Sequence, residues 1–157
     1  LDVAASYRVN TATAQIVYYR RGLDSSGNIV FSRYVLYTFA GGLYATSVAA
    51  ADLTGDGYPE IIVGLTDGKV WYFRNDGSWT TATPSAPVKF DETRTTAVNA
   101  VTTGDFNGDG KSDILWRYYG SGFYQGWNII WYMNGETIES QETLMTIRDT
   151  NWRITNR

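Results

Sequence analysis

The chain has 157 residues, 43% of them hydrophobic, 18% charged and with a net charge of -3, which fits one ordinary domain with a core and leaves no basic stripe for nucleic acid. It contains no cysteine and no histidine, which excludes disulfides, thiolate and imidazole metal sites, and the histidine-dependent catalytic triads. No apolar run approaches the roughly 18 residues that span a bilayer and the first residues do not read as a signal peptide, so no membrane insertion is expected.

The chain opens on "LDVAAS" (1–6), an apolar strand pattern preceded by an acid, and "IVYYRRG" from Ile16 reads as an aromatic strand running into a turn. "TSVAAADL" and "IIVGLT" flank an acidic loop, "ADLTGDGYPEIIVG" (51–64). A turn at "DGK" (67–69) leads into "VWYFRNDG" from Val70, and the "NDG" at 75–77 turns the chain towards "APVKFDE". "AVNAVTTGDF" then enters a second acidic loop, "GDFNGDGKSDILWR" (104–117). A Gly-rich excursion, "RYYGSGFYQGW" (117–127), separates it from "IIWYMNG", whose "NG" at 134–135 is a hairpin signal. Strands are expected over 114–117, 128–133 and 142–147, and "DTNWRITNR" (149–157) resembles the segment leading into the second loop. No stretch shows a sustained helical period with caps.

These segments are copies of one another. Asp52 aligns with Asp105, Asp56 with Asp109 and Glu60 with Asp113, an offset of 53. Asp2 falls at the same place as Glu60 and Asp113, so the first unit is expected to begin on the last acid of a loop. The units are placed at 1–47, lacking most of its loop, at 48–96 and at 97–148, with 149–157 as the first strand of a following unit. Four short antiparallel strands in roughly 55 residues is the pattern of a β-propeller blade. The predicted class is therefore all-β, with about three blades belonging to a larger propeller or one completed between chains. A β-sandwich is the rival all-β reading, but it gives no reason for copies in register.

Each acidic loop places oxygen-bearing side chains at positions 1, 3, 5 and 9, with a glycine at position 6 for the sharp turn. The candidate metal ligands are Asp52, Thr54, Asp56, the Tyr58 main chain and Glu60 in the first loop. In the second they are Asp105, Asn107, Asp109, the Lys111 main chain and Asp113. Five or six protein oxygens suit calcium better than magnesium, which keeps several waters. Thr54 is neutral and short, so the first site is expected to bind more weakly. An EF-hand is excluded because position 12 is Val63 or Trp116, and β-rich residues follow both loops. Polar turns without an ion are the bland alternative, and a structural rather than catalytic role is expected for the metal.

"GDFNGDGKSDILWR" followed by "IIWYMNG" resembles bacterial VCBS repeats of the FG-GAP group, over nearly the whole chain in three units. The resemblance implies β-propellers with calcium in the loop between the first two strands of a blade, and an extracellular or cell-surface setting. The Phe-Gly and Gly-Ala-Pro signatures of the group are poorly kept, with "GLT" at 64–66 in place of the latter.

Two functional classes follow. One is an extracellular binding module, lectin-like or adhesive, whose partner is a carbohydrate or a cell-surface protein; Tyr119, Tyr124 and Trp127 of the excursion are the candidate stacking residues. The other is a self-assembling surface or filament protein in which neighbouring repeats or protomers complete one another's sheets. A polysaccharide-active enzyme is disfavoured: with no histidine it would need another base or a carboxylate pair, and Glu136, Glu139 and Glu142 read as a solvated edge.

Overall fold

The computed structural model describes residues 3–77, 79, 86–90, 98–149, 151 and 154. Among these there is no helix, and within each of three sheets consecutive strands pair antiparallel. The first sheet holds β1 (Val3–Arg8), β2 (Ala14–Leu23) and β3 (Ile29–Phe39). The second holds β4 (Ala45–Ala51), β5 (Glu60–Leu65), β6 (Val70–Phe73) and β7 (Val88–Phe90). The third holds β8 (Val98–Gly104), β9 (Asp113–Tyr118), β10 (Asn128–Asn134) and β11 (Thr137–Thr143). The described residues form three meanders stacked in chain order and no closed ring.

The period-2 alternation of the strands explains the stacking. In the second sheet every residue of β5 and β6 is buried, because both faces are covered. Ile61, Val63, Leu65, Trp71 and Phe73 join Ile16, Leu36 and Phe39 of the first sheet in one cluster. Ile62, Val70 and Tyr72 join Val98, Val101, Ile114, Trp116, Ile129, Trp131 and Met133 of the third sheet in another. The repeated aromatic strand thus fills the spaces between sheets. Trp116 and Trp131 lie 5.3 Å apart with tilted rings, and Tyr37 meets Trp71 edge-on at 5.6 Å.

Small residues in β4 and β8 bring those strands close together. Ser47 Oγ accepts the Val101 N–H at 3.0 Å, and the Thr103 hydroxyl donates to the Ala50 carbonyl at 3.3 Å. The Thr46 hydroxyl sits within donating reach of the carbonyls of Gly64 and Val98.

Two strand expectations are corrected. The strand expected over 142–147 is β11 at Thr137–Thr143: the turn at Asn134–Gly135 lets pairing with β10 begin at once, Asn134 opposite Thr137. Residues 144–149 then leave the sheet as a strap, held by the Leu144 N–H on the Asn128 carbonyl and the Ile147 N–H on the Gly126 carbonyl. The second is an omission, the eleven-residue β3, which makes a long hairpin with β2 around a turn at 24–28. There Asp24 accepts the N–H groups of Ser26 and Asn28 and the Asn28 amide, which together hold its carboxyl below the usual range. Of the strand expected over 149–157, residues 150, 152, 153 and 155–157 lie outside the described residues, and Asp149, Asn151 and Ile154 belong to no strand; Asp2 also lies outside the described residues.

Candidate functional site

Each acidic loop bridges the first two strands of a four-stranded sheet, the first between β4 and β5 and the second between β8 and β9. The same hydrogen-bond pattern is built in both. Asp52 Oδ1 accepts the N–H groups of Gly55 at 2.7 Å and Asp56 at 3.2 Å, while its Oδ2 accepts that of Gly57 at 2.8 Å. Asp105 Oδ1 accepts those of Gly108 at 2.7 Å and Asp109 at 3.2 Å, while its Oδ2 accepts that of Gly110 at 3.0 Å. Position 5 folds the loop onward: Asp56 accepts the Tyr58 N–H and Asp109 that of Lys111, each at 2.8 Å. Gly57 and Gly110 have φ of 86° and 84°, a left-handed backbone that favours glycine.

Position 3 differs between the loops. Asn107 Oδ1 accepts the Asp109 N–H at 2.9 Å and its amide donates to Asp109 Oδ2 at 3.2 Å. Among the described residues Thr54 reaches Asp52 alone, at 3.5 Å. The Lys111 ammonium turns away from the acids to Asn134 Oδ1 at 2.9 Å, so its side chain does not neutralise the loop.

The acids at position 9 have a role that the spacing alone does not show. Glu60 and Asp113 are both fully buried. Glu60 Oε2 accepts the N–H of Leu53, the second loop residue, at 2.8 Å, and Oε1 accepts that of Asn75, just past β6, at 3.4 Å. Asp113 does the same with Phe106 and with Met133 of β10, each at 2.9 Å. Each acid therefore clamps the start of its loop to the third strand of its sheet. The only signal available in the sequence was that Leu53 and Phe106 occupy matching places.

Burial pushes the Glu60 carboxyl up, the bonds from Leu53 and Asn75 pull it back, and Asp56 raises it again. Among the described residues, no Lys or Arg forms an ion pair with any of the six loop acids; the two ion pairs are Lys69 with Asp67 and Arg74 with Glu136. No three acids among the described residues converge closely enough to hold a metal by themselves.

The oxygen chemistry of the loops nevertheless fits a hard cation. Each carboxylate oxygen that accepts one N–H keeps a second lone-pair direction. The donor set would be completed by Thr54 or Asn107 and by the Tyr58 or Lys111 carbonyl. Asp52, Asp56 and Glu60 would then serve the first loop, and Asp105, Asp109 and Asp113 the second.

The three candidate stacking residues are brought together in part. Tyr124 meets Trp127 edge-on at 4.9 Å, and Phe123 lies 5.3 Å from Tyr124 and 5.7 Å from Trp127. Trp127 is half-buried against the core between the second and third sheets. Tyr119 stands apart from that trio, stacked over the Arg117 guanidinium at 4.8 Å. Phe123, at 74% exposed, presents the most open ring of the excursion, and Tyr124 is 40% exposed.

Buried Arg117 fixes this excursion to the sheet. Its guanidinium donates to Asn128 Oδ1 at 2.8 Å, to the Gly126 carbonyl at 3.5 Å, and to the strap carbonyls of Ile147 at 2.6 Å and Asp149 at 3.2 Å.

Residues 55–116 match the family model of an FG-GAP-like repeat, from within the first acidic loop through the second and into β9. No curated protein gives a significant match to the chain.

Proposed function

We propose that the chain is a stretch of a calcium-stabilised, extracellular β-propeller that acts as a lectin-like or adhesive binding module. The observation that carries the metal is the loop built twice to the same pattern, with three acids in each and, among the described residues, no basic side chain paired with them. Acids of one loop repel one another, as Asp56 does Glu60, and a divalent ion bound between them and the neutral loop oxygens would offset that cost. A role in holding the strand connection suits a chain in which the first residue of each loop already organises the backbone. The resemblance of the loops to FG-GAP repeats, which occur in extracellular and surface proteins, supports an extracellular setting.

Chelation tests this directly. A site filled at about a hundred times its dissociation constant contributes about 2.7 kcal/mol. Removing calcium with EGTA is therefore expected to lower the melting temperature by about 5 to 10 °C, with recovery in calcium and poor recovery in magnesium. An unchanged melting curve removes the ion. The second loop, with Asn107 in place of Thr54, is expected to fill first.

For the binding role, the support is the excursion, where Phe123 and Tyr124 are exposed beside one another and Tyr119 is stacked on Arg117. Sugar rings stack on such surfaces. Glycan-array binding that falls about tenfold or more in Tyr124→Ala, as expected for a lost aromatic contact, supports this reading. Array binding indifferent to Phe123, Tyr124 and Trp127 substitutions removes it. The second reading is a self-assembling surface scaffold, supported by β3, which among the described residues pairs with β2 alone and carries exposed Ile29, Val30 and Phe31; concentration-dependent polymers without glycan binding would select it.

A further inference from the structure

The first and second sheets meet much as the second and third do, but with one charge missing. Aligning Asp2 with Glu60 makes Ala4 the counterpart of Ile62. Tyr18 stands opposite Ala4 and Tyr72 opposite Ile62, so these two tyrosines are counterparts, and two residues on so are Arg20 and Arg74. In the following sheet of each pair, the N–H groups accepted by Glu60 and Asp113 make Asn75 the counterpart of Met133. Two residues beyond these come Gly77 and Gly135, both left-handed with φ of 79° and 63°. The next residue is Ser78 in one turn and Glu136 in the other.

Between the second and third sheets, Glu136 answers the arginine. Its Oε1 lies 3.1 Å from Arg74 Nε. Glu136 also lies beside Tyr72, whose hydroxyl is pushed up by burial and then by the Glu136 charge. Between the first and second sheets, the counterpart pair faces a cavity of about 220 Å³ whose walls include Tyr18, Arg20, Tyr58, Pro59, Asn75 and Trp79. Arg20 is exposed and, among the described residues, forms no ion pair. Ser78 carries no charge and lies outside the described residues. The acid that Arg74 receives comes from the sheet that follows it, so the difference between the two seams is set at position 78, within the chain.

The walls indicate what else a ligand would carry. Tyr18 meets Trp79 edge-on at 5.2 Å. The half-exposed Tyr58 ring lies against Gly77, where an added Cβ would come within 2.8 Å of its Cζ. Aromatic rings around one guanidinium suit a molecule with a C–H face and a carboxylate. The volume falls below the roughly 300 Å³ at which drug-sized sites begin, which leaves room for a single sugar ring.

We infer that this cavity binds a hexuronate, its carboxylate on Arg20 as Glu136 sits on Arg74, and its ring face against Tyr58 and Tyr18. The site is separate from the excursion at 117–127 and involves no calcium contact; it rests on the binding-module reading only in taking the ring to be a sugar.

The probe is glucuronate, titrated into the 157-residue protein in calcium and followed by calorimetry. Saturable one-to-one binding that weakens with salt is expected. Glucose, which lacks the carboxylate, and acetate, which lacks the ring, should each bind about tenfold more weakly or worse. Arg20→Gln, at an exposed position, should cost as much, and Arg20→Lys should recover part of it, since it keeps the charge and loses the planar fork. Ser78→Glu supplies the acid that position 136 supplies one repeat later and should abolish binding. Tyr124→Ala should leave it unchanged. Glucuronate binding that is lost in Tyr124→Ala and kept in Arg20→Gln would place the sugar on the excursion, which overturns this inference and leaves the lectin-like reading standing. No saturable binding, or acetate binding as tightly as glucuronate, also overturns it.

Discussion

Replacing Asp113 with alanine is expected to destabilise the protein by about 3 kcal/mol or more, measured as a lower urea midpoint at unchanged slope. The carboxylate is fully buried and accepts the N–H groups of Phe106 and Met133, each at 2.9 Å. Alanine leaves both amides without their acceptor, the Met133 N–H in a fully buried place and the Phe106 N–H in a partly buried one, at about 1–3 kcal/mol each, and opens a void beneath the loop. Asp113→Asn keeps one acceptor oxygen and should cost about half as much. Glu60→Ala should follow the same pattern with a smaller effect, since its bond to the Asn75 N–H is 3.4 Å long. The measurement belongs in EGTA, so that loss of the clamp is read apart from loss of a metal ligand. A cost below about 1 kcal/mol for Asp113→Ala would show that the loop is held by Asp105 alone.

The acidic loops and the all-β class were legible in the sequence for one reason. A repeat states each signal more than once, and Asp105, Asp109 and Asp113 over Asp52, Asp56 and Glu60 could be recognised without any propensity argument. The aromatic strand from Val70 was likewise visible as a strand through its copies at Ile16 and Ile129. What it could not reveal is which neighbour each face meets, because period 2 separates faces without naming their partners.

The position-9 acids show a different limit to reading from spacing. Oxygen at the ninth place looks the same whether it faces an ion or an amide, and only the fold brings Met133 to Asp113. β3 escaped notice because its turn, Asp24 to Asn28, is followed by apolar residues that stay exposed: Ile29, Val30 and Phe31 lie on the hairpin arm beyond the sheet packing. The last strand of the third sheet was placed too late because Leu144, Met145 and Ile147 read as strand residues. In the structure Leu144 and Ile147 are strap residues, bonded to Asn128 and Gly126.

A side chain added at Gly64 should separate the second and third sheets. A Cβ there would lie 2.8 Å from Val98 Cγ1, 3.2 Å from the Val98 carbonyl oxygen and 3.3 Å from Val101 Cγ1. The first distance is shorter than packed carbons tolerate, and the sheets are held at this spacing by Ser47 and Thr103 across β4 and β8. Gly64→Ala is expected to cost about 1–3 kcal/mol and Gly64→Val more, because overpacking forces backbone shifts in an interface that cannot expand on one side only. The decisive comparison is a double-mutant cycle. Val98→Ala alone leaves a void between the sheets, yet it removes the methyl that the new Cβ would strike. The Gly64→Ala, Val98→Ala double variant should therefore be more stable than the sum of the two losses by about 1 kcal/mol or more. Strict additivity would mean that the two residues do not meet, and the close approach of the sheets would have to be sought elsewhere along β5.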